Sequence, residues 1–449
     1  MIHDICRSPV SIGSTQGLAH WNAMIRAFLA HGTETPAHLA RLLEAEPDFA
    51  MGHAARGLFS LLLGRAEMIA VAREASADAH AAALRCTPYP REQAWIAALD
   101  RWLDGRPGAS IAALEDALGL EAADTMSAKV SHAIRFVLGD AAGMRRSIER
   151  VLHAHDADHA CRGYALGCHA FALEETGDYG AAEEVGREGL SHAPDDAWGL
   201  HAVAHVYDMT ALPSLGIRLI DSHRSVWSHC NNFRYHVWWH KALLHLDRGE
   251  YDVALSLYDS QIRADRTDDY RDVANATSLL VRLELDGVAV GPRWEELADV
   301  AERRSSDGCL VFADLHYMLA LAGGRRDTAR IRMSARFARD SRRPGEMNQR
   351  FANPGQAALA GLNAFAEGRY DSAFRNLLAA RPFMQRIGGS HAQRDVFERI
   401  TIDSGLRAGQ YDMADDLLCD RLRRRGGNED RYTASRLARL DRIRRIPAQ

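Results

Sequence analysis

Lysine is almost missing from this 449-residue chain. Its 55 basic residues include two lysines, Lys129 and Lys241, and neither follows the glycine run of a phosphate-binding loop, which excludes a P-loop nucleotidase and predicts no nucleotide cofactor. Cysteine is sparse, odd in number and never arranged as CxxC: Cys6, Cys86, Cys161, Cys168, Cys230, Cys309 and Cys419. That spacing argues against a disulfide framework or a thiolate zinc cluster and fits a reducing compartment. Apolar runs approaching the roughly 18 residues of a membrane span are absent, as is a basic-then-apolar leader, so the expectation is a cytoplasmic protein with no membrane partner. Excess positive charge is lacking too. The formal net charge is -5, which leaves no broad field to hold phosphate backbones and argues against nucleic acid. With 13 prolines, 47% hydrophobic and 26% charged residues, the composition is that of a folded chain.

Alternating Val/Ile/Thr stretches are nearly absent, whereas segments rich in Ala, Leu, Arg and Glu carry apolar residues three and four apart from end to end. The sequence predicts an all-α protein. A helix-pair unit of about 34 residues, with small residues at its positions 8 and 20 and Pro at 32, fits residues 163-196. Ala170, Ala182 and Pro194 take those places, and Gly177-Asp178-Tyr179 makes the turn. The next unit follows in register with Ala204 and Gly216. A third, after four extra residues, carries Trp238, Ala242, Gly249-Glu250-Tyr251, Ala254 and Tyr258. Weaker copies turn at Gly324, Gly368 and Gly409, and Gly105 and Gly139 suggest degenerate turns earlier. The expected architecture is helical hairpins stacked into a right-handed superhelix, an α/α solenoid forming one continuous array over 1-449. Degenerate repeats occupy 1-162, the clearest repeats 163-262, and C-terminal repeats with a basic terminal helix 263-449.

In such a solenoid the first helix of each unit lines a concave groove through its positions 2, 5, 9 and 12. The register puts Trp198, His201, His205 and Asp208 there, and the following unit adds His236, Trp239 and His240. Two His-x-x-x-His pairs on consecutive inward helices can offer four nitrogens to one divalent ion, Zn, Fe or Mn. His201, His205, His236 and His240 are therefore the predicted metal ligands. His205 and His240, with Asp208 and Asp314, are the predicted acid–base residues. Trp198, Trp239, His316 beside Asp314, and Arg394-Asp395 at the start of a late helix complete a predicted ligand site. Each pair lacks the Glu of His-Glu-x-x-His, which excludes a zincin protease. The arginines of the terminal segment, from Arg421 to Arg445, are intermixed with Asp and Glu and read as a solvated helix.

Over nearly its whole length the chain resembles the tetratricopeptide repeat protein 38 family. The resemblance rests on Pro47-Asp48-Phe49 through His53, Arg91-Glu92-Gln93, Asp196-Ala197-Trp198, His201-Ala202-Val203-Ala204-His205, His236 with Trp239-His240, Gly249-Glu250-Tyr251, Gly287 with Arg293-Trp294, Asp314 with His316, and Ala392-Gln393-Arg394-Asp395-Val396-Phe397. It implies a helical-repeat fold and supplies no reaction or ligand. Lys241 departs from the family pattern, standing where an apolar residue is expected. Two functional classes follow: a small-molecule enzyme using metal or His/Asp acid–base chemistry, and a scaffold that binds a peptide or partner protein along the groove. Convergence of imidazoles favours the enzyme.

Overall fold

The computed structural model describes residues 2–445 and is helical almost throughout. A two-stranded antiparallel hairpin, Ile2–His3 with Pro9–Val10, opens the described chain. Consecutive helices pack as pairs, among them Thr15–Leu29 with Thr35–Ala45, Ala50–Leu62 with Ala66–Arg85, Pro90–Leu103 with Pro107–Leu120, Arg162–Glu175 with Tyr179–His192, and Gln356–Ala366 with Tyr370–Ala380. The outer helices, such as Ala66–Arg85 and Tyr179–His192, expose a polar face and bury a stripe of Ala and Gly, so pairing is how the stripe leaves water. The predicted small positions Ala170, Ala182, Ala204, Ala242 and Ala254 are buried, and so are Ala329, Ala373 and Ala414 in the weaker copies. The predicted turns are left-handed at Gly105, Gly139, Gly177, Gly249, Gly368 and Gly409, a conformation only glycine adopts at no steric cost. At the weaker copy near Gly324, Arg325 takes the positive φ instead, at 55°. No helix among the described residues is long and apolar enough to cross a membrane.

The chain divides into two compact units. One comprises 2–203, 223–234 and 344–347. Its core gathers Trp21, Met24, Phe49, Leu58, Trp95 and Leu99. At its heart a buried Arg91 bridges Asp4 at 3.0 Å and Asp124 at 3.3 Å, and Trp21 Nε1 donates to the same Asp4 carboxylate. The opening hairpin is thereby fixed to helix Pro90–Leu103, because removing one member of such a buried trio leaves an uncompensated charge. The other unit comprises 204–222, 235–343 and 348–445. Within it Gly216 allows close approach: a Cβ there would lie 2.7 Å from Leu244 and 3.3 Å from Tyr207. Its C-terminal helices bury Phe374, Ile402, Leu406, Leu418, Tyr432 and Leu440.

Candidate functional site

The second unit brings His205, His236 and His240 together. His205 stands on helix Ala197–Met209, and His236 and His240 share one face of helix Phe233–Asp247 because they are one turn apart. Each offers a ring nitrogen within 4.8 Å of the others'. The rings of His205 and His240 are 4.3 Å apart at their centroids, those of His236 and His240 4.6 Å, and His391 joins at 5.2 Å from His205. Trp239 stacks on His236 at 5.3 Å. His201 precedes His205 by four residues on the same helix, so helical geometry turns both imidazoles to one face. In its own unit the His201 ring stacks on Phe171 at 5.5 Å and lies 5.2 Å from Trp198.

His205 and His240 are buried side chains and not the exposed lining of a groove: His205 is fully buried and His240 is 2% exposed. Burial sets the protonation of His236 and His240. It pulls His236 down to about 3, helped by the neighbouring His205, while a hydrogen bond from Asn275 opposes the shift. His240 is held well below its ordinary value by burial first, then by His205, His236, His391 and Arg282. Both rings are neutral at physiological pH, the form that binds a metal or relays a proton.

A polar chain fixes which nitrogen of His236 bears the proton. Helix His391–Arg407 starts with a capping box, in which Ser390 Oγ accepts from the Gln393 N–H and Gln393 Oε1 accepts from the Ser390 N–H at 3.1 Å. A backbone N–H only donates, so Gln393 must present its Nε2 elsewhere, and it donates to Asn275 Oδ1 at 2.9 Å. Asn275 then donates from Nδ2 to His236 Nδ1 at 2.9 Å. His236 accepts there, so its proton sits on Nε2 and points at His240 Nε2, 3.1 Å away. The helix start at Ser390 thus orients an imidazole three residues removed along the chain of hydrogen bonds.

The carboxylates expected to serve these histidines are held by arginines. Asp314 is buried in an ion pair with Arg336 at 2.6 Å, although burial still lifts its carboxyl to about 6. Asp208 faces Arg425 at 3.7 Å, and Arg425 also donates to the Asp208 carbonyl. Asp395 is gripped by Arg399 at 2.6 Å, by Arg421, and by Arg282 at 3.6 Å, and these guanidiniums keep it well below the usual carboxylate range against the opposing effect of burial. Arg394 donates to the Gly389 carbonyl. His316 gives its Nδ1 proton to the Phe312 carbonyl and packs on Phe312 and Phe397. Trp198, in the first unit, lies under the Lys129 ammonium at 4.5 Å. Lys241 is engaged with Asp221 at 2.6 Å and rests over Trp238, so its stem covers apolar surface while its head pairs near solvent. The Cys230 thiol, beside His229, is pushed up to about 12 by burial and is inert as a nucleophile.

Three contributors escaped the sequence reading. Asn275 lies on helix Tyr270–Leu285, which carries no repeat signature, and His391 sat one residue past a Gly-Gly-Ser break. Arg282, on the same face of that helix as Asn275, is buried and donates to the carbonyls of Ser278 and Ala392; burial lowers it to about 9. Gln393 was visible as part of the Ala392-Gln393-Arg394-Asp395 string, without its role. No known protein-family model matches the chain.

Proposed function

We propose that the protein is a helical-repeat enzyme of the tetratricopeptide type acting on a small molecule, and that its chemistry is centred on a divalent metal held by His205, His236 and His240. The observation that carries this reading is the convergence of three imidazoles whose ring nitrogens lie within 4.8 Å of one another, with His236 and His240 held neutral by burial. Donors of this kind and number suit Zn, Fe or Mn. A bound ion would polarise a substrate oxygen or lower the pKa of a bound water. The protein's own contribution is to keep His236 and His240 deprotonated by burial and to orient His236 through the Gln393–Asn275 amides. Binding through His236 Nε2 asks the ring to carry its proton on Nδ1, so metal occupancy and the amide chain are coupled.

A second reading is favoured by that chain as it stands. With His236 donating to His240, the pair is a neutral proton relay that needs no metal, and acid–base work then falls to the imidazoles with Asn275 as orienting partner in place of an aspartate. The alternative of a peptide-binding scaffold is less well supported, since spread-out exposed contacts suit a peptide better than buried converging rings.

Titration of Zn and Mn into the full chain, followed by thermal unfolding, tests the metal reading. The expected result is a rise in melting temperature that saturates at one ion per chain and is lost in His205→Ala and in His240→Ala. A rise of equal size in both variants would place any metal elsewhere.

A further inference from the structure

The arginine-rich terminal segment does more than solvate a helix. Helix Arg431–Arg444 presents Arg431, Ser435, Arg439 and Arg442 at spacings of four, four and three, hence along one face. In the second unit that face closes one wall of a cavity of about 250 Å³, whose rim also includes Tyr251, Arg407, Arg436, Asp286 and Asp403. Five guanidiniums stand against two carboxylates. Both carboxylates are already used: Asp286 accepts from Arg436 at 2.6 Å, and Asp403 accepts from Arg436 at 3.1 Å and from Tyr432 at 2.9 Å. Arg407 reaches Asp403 only at 3.9 Å and donates to Tyr370 at 3.2 Å. Arg431 donates from Nε to Tyr251 at 3.3 Å, its guanidinium seated on Gly249, where a Cβ would come within 2.8 Å of Cζ. Arg439 and Arg442 make no hydrogen bond or ion pair among the described residues and are exposed.

We propose that this cavity binds a phosphate-bearing small molecule. Guanidinium groups match the oxygens of phosphate two at a time, and several converging on one cavity favour a dianion over a single carboxylate. Drug-sized ligands take roughly 300–1,000 Å³, so this volume suits a phosphoryl head with the rest of the molecule directed to solvent. A concave cluster on a chain of net charge -5 is also the wrong shape for a nucleic acid, which needs a continuous basic track. The buried Arg436 network is the rigid floor, and Arg439 and Arg442 supply the unneutralised charge. This site is independent of the histidine cluster.

Isothermal titration of the full-length protein with pyrophosphate at low salt tests the assignment. Binding at one site with a Kd below about 1 mM is expected, together with at least about a tenfold loss in the double variant Arg439→Gln/Arg442→Gln, whose melting temperature stays that of the parent because neither side chain is paired. Citrate should bind more weakly than pyrophosphate. Absence of saturable heat up to about 10 mM, equal affinity in the double variant, or tighter binding of citrate or of a single-stranded RNA oligonucleotide would each overturn the proposal.

Discussion

The orientation of one asparagine decides what His236 can do. Asn275 holds its Oδ1 toward Gln393 and its Nδ2 toward His236 Nδ1. Replacing it by aspartate keeps the shape and turns both atoms into acceptors, so Gln393 keeps its partner while His236 is invited to protonate Nδ1 and free Nε2 for a metal. A carboxylate behind a ligating histidine is the usual supporting partner, and such contacts are worth about 10–100-fold in affinity. Asn275→Asp should therefore tighten zinc binding by about that factor in a competition titration with a chelating dye; unchanged or weaker binding would show that His236 does not ligate through Nε2.

His155 provides a second residue-scale prediction, in the first unit. Its Nδ1 donates to the Val151 carbonyl at 3.1 Å, so its Nε2 accepts from Thr125 Oγ1 at 2.9 Å, and burial pulls its pKa to about 4. The unfolded chain takes up that proton near the ordinary value of about 6.5 while the folded chain does not, so stability is complete above that pH and falls as pH drops toward 4. The full swing is on the order of 3 kcal/mol. In urea unfolding, His155→Asn should start less stable and lose less stability between pH 7 and 5. An unchanged pH slope would mean that His155 is not held neutral.

Among helices, the clearest contact is the pair Arg162–Glu175 with Tyr179–His192. Glycine lets their backbones nearly touch: a Cβ on Gly163 would lie 2.5 Å from Ala193 Cβ and 2.7 Å from the Gly189 carbonyl. Gly163→Ala should cost about 1–3 kcal/mol through overpacking, read as a melting temperature lowered by several degrees, whereas Gly180→Ala, at a glycine with open space around it, should not. Equal effects at the two positions would contradict the close approach.

This pair also shows why the elements were legible in the sequence. Small residues every 34 positions and glycine at each turn are local requirements of helix pairing, and Ala170, Ala182 and Gly177 satisfy them without reference to anything distant. The four-residue spacing of His236 and His240 is equally local. Ion pairs are not: Asp314 meets Arg336 on the following helix, and Asp395 meets Arg421 and Arg282, at separations no helical period encodes. That is why the expected Asp partners of the histidines proved to be engaged elsewhere, and why Asn275, on a helix without repeat signature, went unseen. Burial of the histidines was also illegible, because a register gives the face of a helix and not what covers it.

For the molecule as a whole, the all-helical fold followed from what composition and periodicity withhold: no alternating strands, no cysteine framework, no long apolar run. The proposed function turns on a different quantity, the metal content of the chain. Imidazoles gathered at this spacing are costly to assemble, since each loses hydration, and coordination is the interaction that offsets that cost most directly. Elemental analysis of protein purified without a histidine tag measures it. The account predicts one Zn, Fe or Mn per chain, removed together with thermal stability by dialysis against a strong chelator at neutral pH and restored on adding the ion back. Protein that carries no stoichiometric metal, and whose melting temperature is indifferent to chelator and to added ion, would contradict the metal centre and leave the His236–His240 proton relay in its place.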